Sequence, residues 1–329
     1  YNDARLENID PYRTDVVMGT GTSAFDIIEQ EIFKSPSAGR KFEKGLTDPL
    51  AMTKAFANAP ACAIALEYQT KSYTTTVTTA CASALNAIGH AYLRIRADEA
   101  DVAIAGSVDT PINHLIYGAF CAARFLTTGE TPEAAVSPFD KRRTKRALGE
   151  GAAVFILEDL EHAIDRGATI YAEIMGFSQS AENVNELFML DTTGAKWADH
   201  LKTTLKKSRS KKNIDCINAH APSDKLSDAT EATAIKMVFG SRGSQIPVHS
   251  IKGAVGQGFS VAGAFQIAAS SLSLSIGMIP PTFNYAEPDT DCEVNVSCSS
   301  RTKKISTALV NAHGIGGINS SLILEKFDE

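Results

Sequence analysis

Two segments of this chain, 82–96 and 261–276, are so rich in Ala, Ser and Gly that neither shows a bulky outward face. Small residues on both sides suit helices buried between two sheets, where backbone must approach on two fronts. One such segment falls in each half of the 329 residues, which points to an internal duplication. Around them short apolar runs alternate with helical patterns. Strands are expected over 74–79, 102–106, 152–157, 170–177, 214–218, 248–250, 294–297, 306–310 and 320–324, with further helices ending near 166 and spanning 227–238. Buried strands alternating with helices predict an α/β fold with helices on both sheet faces.

Composition narrows the class. Hydrophobic residues make up 44% and charged residues 21%, as in a soluble globular enzyme. A net charge of −6 gives no reason to expect nucleic acid as a partner. No apolar run approaches the ~20 residues that span a bilayer, and Tyr1–Arg13 is polar and mixed in charge, unlike a signal peptide. The six cysteines lack CxxC or metal-ligand spacing, which suits free thiols in a reducing compartment. A cytoplasmic enzyme holding no metal is expected.

Cys81 stands where the 74–79 strand ends and the 82–96 helix begins. A thiol there meets the positive end of the helix dipole and free backbone N–H groups, which favour the thiolate. A sharp strand-to-helix turn also lifts the side chain off the sheet towards substrate. Cysteine is among the most buried residue types, so a small packing cysteine fits the same place. The local pattern leaves both readings open.

The segment Thr79-Ala-Cys-Ala-Ser resembles the nucleophile motif of the β-ketoacyl synthases, especially the fatty-acid-elongating and type II polyketide kinds. The resemblance runs on through Asp101–Gly106, Phe139-Asp-Lys-Arg-Arg, Leu148-Gly-Glu-Gly-Ala and Leu157-Glu-Asp-Leu-Glu-His-Ala. It resumes at Ile217-Asn-Ala-His220, Ser250-Ile-Lys-Gly-Ala-Val-Gly-Gln257, Pro280-Pro-Thr-Phe-Asn and Gly314-Ile-Gly-Gly-Ile-Asn319. It implies the thiolase fold, layered α-β-α-β-α, with similar halves over 1–167 and 168–329. Members open with a strand and helices ahead of the region matching 15–23, so the first strand region is expected to be missing here. The resemblance also implies acyl carrier protein as partner, its phosphopantetheine as substrate arm with no cofactor bound by the chain, and a homodimer or ketosynthase heterodimer.

For the site, the resemblance implies Cys81 as nucleophile, His220 and Lys252 as its partners, and Gly314, Ile315, Phe120 and Asp224 against the substrate. Four positions depart from the usual pattern. Gln257 replaces a second histidine. His220-Ala-Pro-Ser-Asp224 stands for His-Gly-Thr-x-Thr, which removes two hydroxyls. Ile315 replaces a gating phenylalanine, with His313 two positions before it. Arg143-Thr-Lys-Arg146 stands for Arg-Asp-Gly-Phe.

A glutamine donates a hydrogen bond but neither carries charge nor transfers a proton. The chain is therefore expected to move acyl groups through Cys81 with decarboxylative condensation weakened. The alternatives are a decarboxylative synthase using a Cys-His-Gln set and a non-catalytic partner comparable to a chain-length factor. His313 is a candidate stand-in for the missing histidine, or simply a histidine packed in an aromatic's place. The basic run Lys141–Arg146 is expected to dock an acidic carrier, whereas 206–212 reads as solvated surface. Glu150 is expected to tie buried backbone amides together, and Cys62, Cys121, Cys216, Cys292 and Cys298 to be packing residues.

Overall fold

The computed structural model describes residues 9–22, 24–34, 48–127, 131 and 135–328. Its first sheet contains β1 (Thr14–Gly19), β2 (Thr74–Val77), β3 (Val102–Asp109) and β4 (Gly151–Glu158), in the order β2-β1-β3-β4. β1 runs parallel to β2 and β3, and β4 is antiparallel to β3. The later strands are β5 (Glu173–Ala181), β6 (Cys216–Asn218), β7 (Val248–His249), a small ribbon of β8 (Met278–Ile279) and β9 (Arg301–Thr302), then β10 (Thr307–Gly314) and β11 (Ile318–Glu325). Apart from the ribbon they form a second sheet, β5-β11-β10-β6-β7.

The helices are α1 (Phe25–Lys34), α2 (Ala51–Ala55), α3 (Ala59–Glu67), α4 (Ser83–Arg96), α5 (His114–Ala122), α6 (Leu160–Asp165), α7 (Ala195–Lys207), α8 (Lys225–Phe239), α9 (Lys252–Val255) and α10 (Ala262–Ile276). The duplication is visible in the connections. The succession β1, β2, α4, β3, β4 recurs as β6, β7, α10, β10, β11, with parallel β6–β7 and β6–β10 pairs and an antiparallel β10–β11 pair. The second sheet adds β5 outside β11.

α4 touches β1 and β3 on one side and β5 and β11 on the other, while α10 touches β4, β10 and β11. α3 covers the outside of the first sheet and α7 the outside of the second, with α8 against α7. The layers are α-β-α-β-α. The central core joins Leu85 and Ile88 of α4, Ile267 and Leu274 of α10, Val17 and Ala105 of one sheet, and Val310 and Leu322 of the other. This sandwich explains the small residues. A Cβ on Gly89 would stand 2.3 Å from the Phe177 ring, and one on Gly263 would stand 2.2 Å from Leu85. The stretch Phe259–Ile276 is long and apolar enough to cross a membrane, but it is mostly buried between the sheets.

Three elements differ from expectation. The central strand β1 carries no expected signal beyond its apolar Val16–Met18, yet it is wholly buried. Residues 294–297 form no strand; Val294 and Val296 donate their N–H groups two residues back, to Cys292 and Val294, leaving one bridge from Asn295 to Pro247. The strand expected over 170–177 lies at Glu173–Ala181, where β11 pairs with it.

Candidate active site

Cys81 sits on a tight elbow between β2 and α4. Ala80, just before it, has φ +51°, a left-handed conformation that costs a non-glycine residue roughly 1–2 kcal/mol. Side chains hold the turn. Thr79 N–H donates to Ser83 Oγ at 2.8 Å, Ser83 Oγ–H donates to the Ala80 carbonyl at 2.7 Å, and Asn86 Nδ2–H donates to Thr79 Oγ1 at 2.7 Å. Cys81 does lie at the start of a helix, as expected. Its effect on acidity needs correction: Cys81 is buried, and burial pushes the thiol pKa up. Against that, Arg146 favours the thiolate most, followed by Gln257 and Lys252.

His220 and Lys252 belong to one buried cluster. Lys252 Nζ donates to the His220 carbonyl, and also to Gln266 Oε1 at 3.4 Å. Glu231 fixes the backbone from behind, accepting from His220 N–H at 3.0 Å, Ala221 N–H at 2.9 Å and Asn311 Nδ2 at 3.0 Å. Burial, then the Lys252, His313 and Arg146 charges, hold His220 well below the usual histidine range, so its ring is neutral. Burial also pulls Lys252 down to about 8, against the opposing pull of Glu231 and Cys81. A neutral imidazole beside a cation is suited to donate N–H to a developing oxyanion.

Gln257 is fully buried, with its N–H on the Ala147 carbonyl at 2.8 Å. Its carboxamide faces Cys81 and draws the thiol pKa down without reaching full hydrogen-bond geometry, and both amide atoms are buried with no partner. An orphaned buried amide marks a place where a reacting group belongs.

His313 is the penultimate residue of β10, with its ring 6.1 Å from His220, stacked on Trp197 at 5.1 Å, and 3.4 Å from Glu182. Gly314 follows it and abuts the elbow. Ile315 occupies the β10–β11 turn, half-buried. Phe120 of α5 packs on Phe259 at 4.8 Å and Phe125 at 5.9 Å. Asp224 caps α8, its Oδ1 accepting from Leu226 and Ser227 N–H at 3.1 Å, and turns Oδ2 towards Arg146 at 3.5 Å.

The basic run is the main correction. Arg143 and Arg146 are buried, so two of the five basic residues in the expected docking patch lie inside the protein, and exposed Arg142 pairs with Asp140 at 2.8 Å. Sequence reasoning puts Arg146 on a docking surface and misses its burial, although its position where the resemblance expects a phenylalanine is an available signal. Glu150 is exposed and, among the described residues, accepts from Ile112 N–H at 3.3 Å, so it ties a surface amide there. Cys121 and Cys298 are exposed rather than packed. Among the described residues, no cluster of His, Cys, Asp and Glu is arranged to hold a metal ion.

Two family models match the chain: Beta-ketoacyl synthase, N-terminal domain, over residues 2–163, and Beta-ketoacyl synthase, C-terminal domain, over 171–286. The 3-oxoacyl-[acyl-carrier-protein] synthase 2 of Coxiella burnetii is 34% identical, covering 95% of this chain and 75% of that protein. A type II polyketide synthase acyl carrier protein in complex with its ketosynthase bound to the hexaketide superposes with TM-score 0.95 at 29% identity, covering 99% of this chain and 82% of that one. The ishigamide ketosynthase/chain length factor superposes at 0.88 with 27% identity, covering 98% and 77%.

Proposed function

This chain belongs to the β-ketoacyl synthase family, and on that premise we propose that it is an acyltransferase of fatty-acid or polyketide assembly. It takes an acyl group from an acyl carrier protein onto Cys81 and passes it to an acceptor, with decarboxylative condensation weakened. Gln257 carries this reading: an uncharged amide with no partner faces the nucleophile where a histidine is usual. Cys81 Sγ attacks the thioester carbonyl; the new S–C bond forms as the carrier's C–S bond breaks, and the Cys81 proton leaves with the carrier thiol. Neutral His220 and the Gln257 amide are placed to steady the oxyanion, and Lys252 keeps the cluster positive. An amide holds a malonyl-derived enolate less firmly than a charge-assisted histidine N–H does.

The carrier's phosphopantetheine is the substrate arm. The polyketide relative seen with its carrier protein supports a carrier partner, and the ketosynthase/chain length factor supports a paired assembly, as a homodimer or a ketosynthase heterodimer. The synthase name of the 34%-identical relative favours a second reading, decarboxylative condensation by a Cys-His-Gln set. A purely structural subunit, comparable to a chain-length factor, fits poorly with a cysteine on a strained elbow whose thiol feels the charge of buried Lys252.

Peptide mass mapping after incubation with acyl carrier tests the proposal. An acyl adduct on Cys81, lost in Cys81→Ala while the variant stays folded, is the expected result. No adduct with any acyl chain, or an adduct only on another cysteine, leaves the structural reading standing. Brisk release of CO₂ from malonyl carrier selects the condensing reading instead.

A further inference from the structure

Arg146 is a buried cation with too few partners. Its Nε–H is buried and unpaired. Among the described residues its one ion pair is to Asp224 Oδ2, at 3.5 Å, longer than a charge-assisted hydrogen bond. Asp224 is already engaged through Oδ1 as the cap of α8, so it only partly answers the guanidinium. The plane of Arg146 lies over the Phe125 ring at 5.5 Å. The backbone holds it in place: the Arg146 carbonyl accepts from Thr127 N–H at 3.0 Å, and the next carbonyl, that of Ala147, accepts from Gln257 N–H. Arg146 thus sits one residue from the strand-like pairing that carries Gln257, and its charge acts on Cys81, His220 and Lys252 alike.

A buried guanidinium left this way is costly unless an anion completes it. Its fork matches a carboxylate in two parallel hydrogen bonds, which a point cation does not. We propose that Arg146 is a carboxylate-binding residue of the acyl site, and that this chain selects acyl thioesters bearing a free terminal carboxylate. The inference rests on acylation at Cys81. The carboxylate is unchanged in that step: the Sγ–C bond forms, the donor C–S bond breaks, and the thiol proton goes to the departing thiolate. A carboxylate gripped by a guanidinium must give up those bonds to leave as CO₂, so Arg146 and Gln257 act in the same direction, towards retention.

The test uses N-acetylcysteamine thioesters in matched pairs, succinyl with valeryl and glutaryl with hexanoyl, with Cys81 adduct formation followed by intact mass. In the wild type the carboxylated member should react about tenfold faster or more, and in Arg146→Met that ratio should fall to one or below. Equal rates in the wild type, or a ratio that survives Arg146→Met, overturn the inference while leaving acyl transfer intact. A second measurement needs no variant. Valerate should protect wild-type Cys81 from iodoacetamide several-fold more than the uncharged valeramide does, and equal protection overturns the inference. If neither member of a pair forms an adduct, the acyl-transfer reading fails, and the protection ratio alone decides whether Arg146 binds carboxylates.

Discussion

Gly314 and Thr79 meet so closely that a Cβ on Gly314 would stand 2.5 Å from the Thr79 carbonyl oxygen. Gly314 ends β10 of the second sheet, and Thr79 opens the elbow that leaves the first, so the two halves of the fold touch at the elbow carrying Cys81. The same Cβ would lie 3.4 Å from the Ala82 N and 3.5 Å from the Ala80 Cβ. Gly314→Ala must push the elbow away, because the nearest atom is backbone. Small displacements of a nucleophile are expensive, so acylation of Cys81 should slow by about 10- to 100-fold. Stopped-flow or quenched mass measurement of adduct formation checks this; a rate within twofold of wild type would mean that the elbow tolerates displacement.

Arg143 lies at the centre of an ionic group, not on a docking face. It is 1% exposed, donates to the Asp140 carbonyl at 2.9 Å and the Lys225 carbonyl at 3.0 Å, pairs with Asp289, and stands 3.7 Å from Asp228. Arg143→Met strands those carboxylates and should cost about 3–5 kcal/mol in urea unfolding, as expected for one half of a buried pair. Arg142→Ala, at a solvent-screened pair, should cost far less. Near-equal costs for the two would refute this division of the run.

His249 sets an acid limit on stability. It is buried with both ring nitrogens unpartnered, and burial pulls its pKa down to about 4. The unfolded chain takes up that proton near pH 6.5, so it binds more protons than the fold between 6.5 and 4. Stability is therefore full above pH 6.5 and falls by about 3 kcal/mol per such histidine as pH drops to 4. Burial holds His200 at about 4 as well, with hydrogen bonds to Ser180 and Ser321. With buried His220 held down as well, His249→Leu should remove roughly a third of the histidine share of the acid sensitivity, read as the slope of unfolding free energy against pH. An unchanged slope would place the acid limit elsewhere.

The layers are legible in the sequence because Gly89 and Gly263 lie in stretches that no exposed helix would use, and the place of Cys81 at a helix start because it follows a β-branched run; its role is read only through the family resemblance. The features that stay hidden depend on distance in space. A run of Lys and Arg looks the same whether it faces water or Asp140, Asp228 and Asp289, the last of them 146 residues from Arg143 along the chain. Arg146 reads as surface for that reason, and its link to Asp224 exists only once α8 has brought its cap to the site. The helix start at Cys81 speaks for a thiolate, but the opposing effect of burial depends on both sheets closing over it.

On the proposed acyl-transfer reading, Gln257 decides the fate of the acylated enzyme. Its amide has no partner at either atom, which costs about 1–3 kcal/mol for a buried polar group, so Gln257→Leu should raise the unfolding free energy while impairing chemistry. Gln257→His tests the chemistry directly. An imidazole facing Cys81 offers a donor that strengthens as charge builds on the enolate, and oxyanion donors are worth roughly 10²–10³ in rate. The wild type should acylate at Cys81 yet release CO₂ from malonyl carrier slowly, and Gln257→His should raise that release about tenfold or more. Arg146 opposes the gain by holding the departing carboxylate, so Gln257→His combined with Arg146→Phe should exceed either change alone. The readout is CO₂ and acetyl-carrier formation for all four proteins, with acylation measured in parallel. If the wild type already decarboxylates as fast as it acylates and Gln257→His adds nothing, condensation by a Cys-His-Gln set replaces the transferase reading. If CO₂ release rises with Arg146→Phe but not with Gln257→His, the brake on decarboxylation lies in the guanidinium and the amide is a bystander.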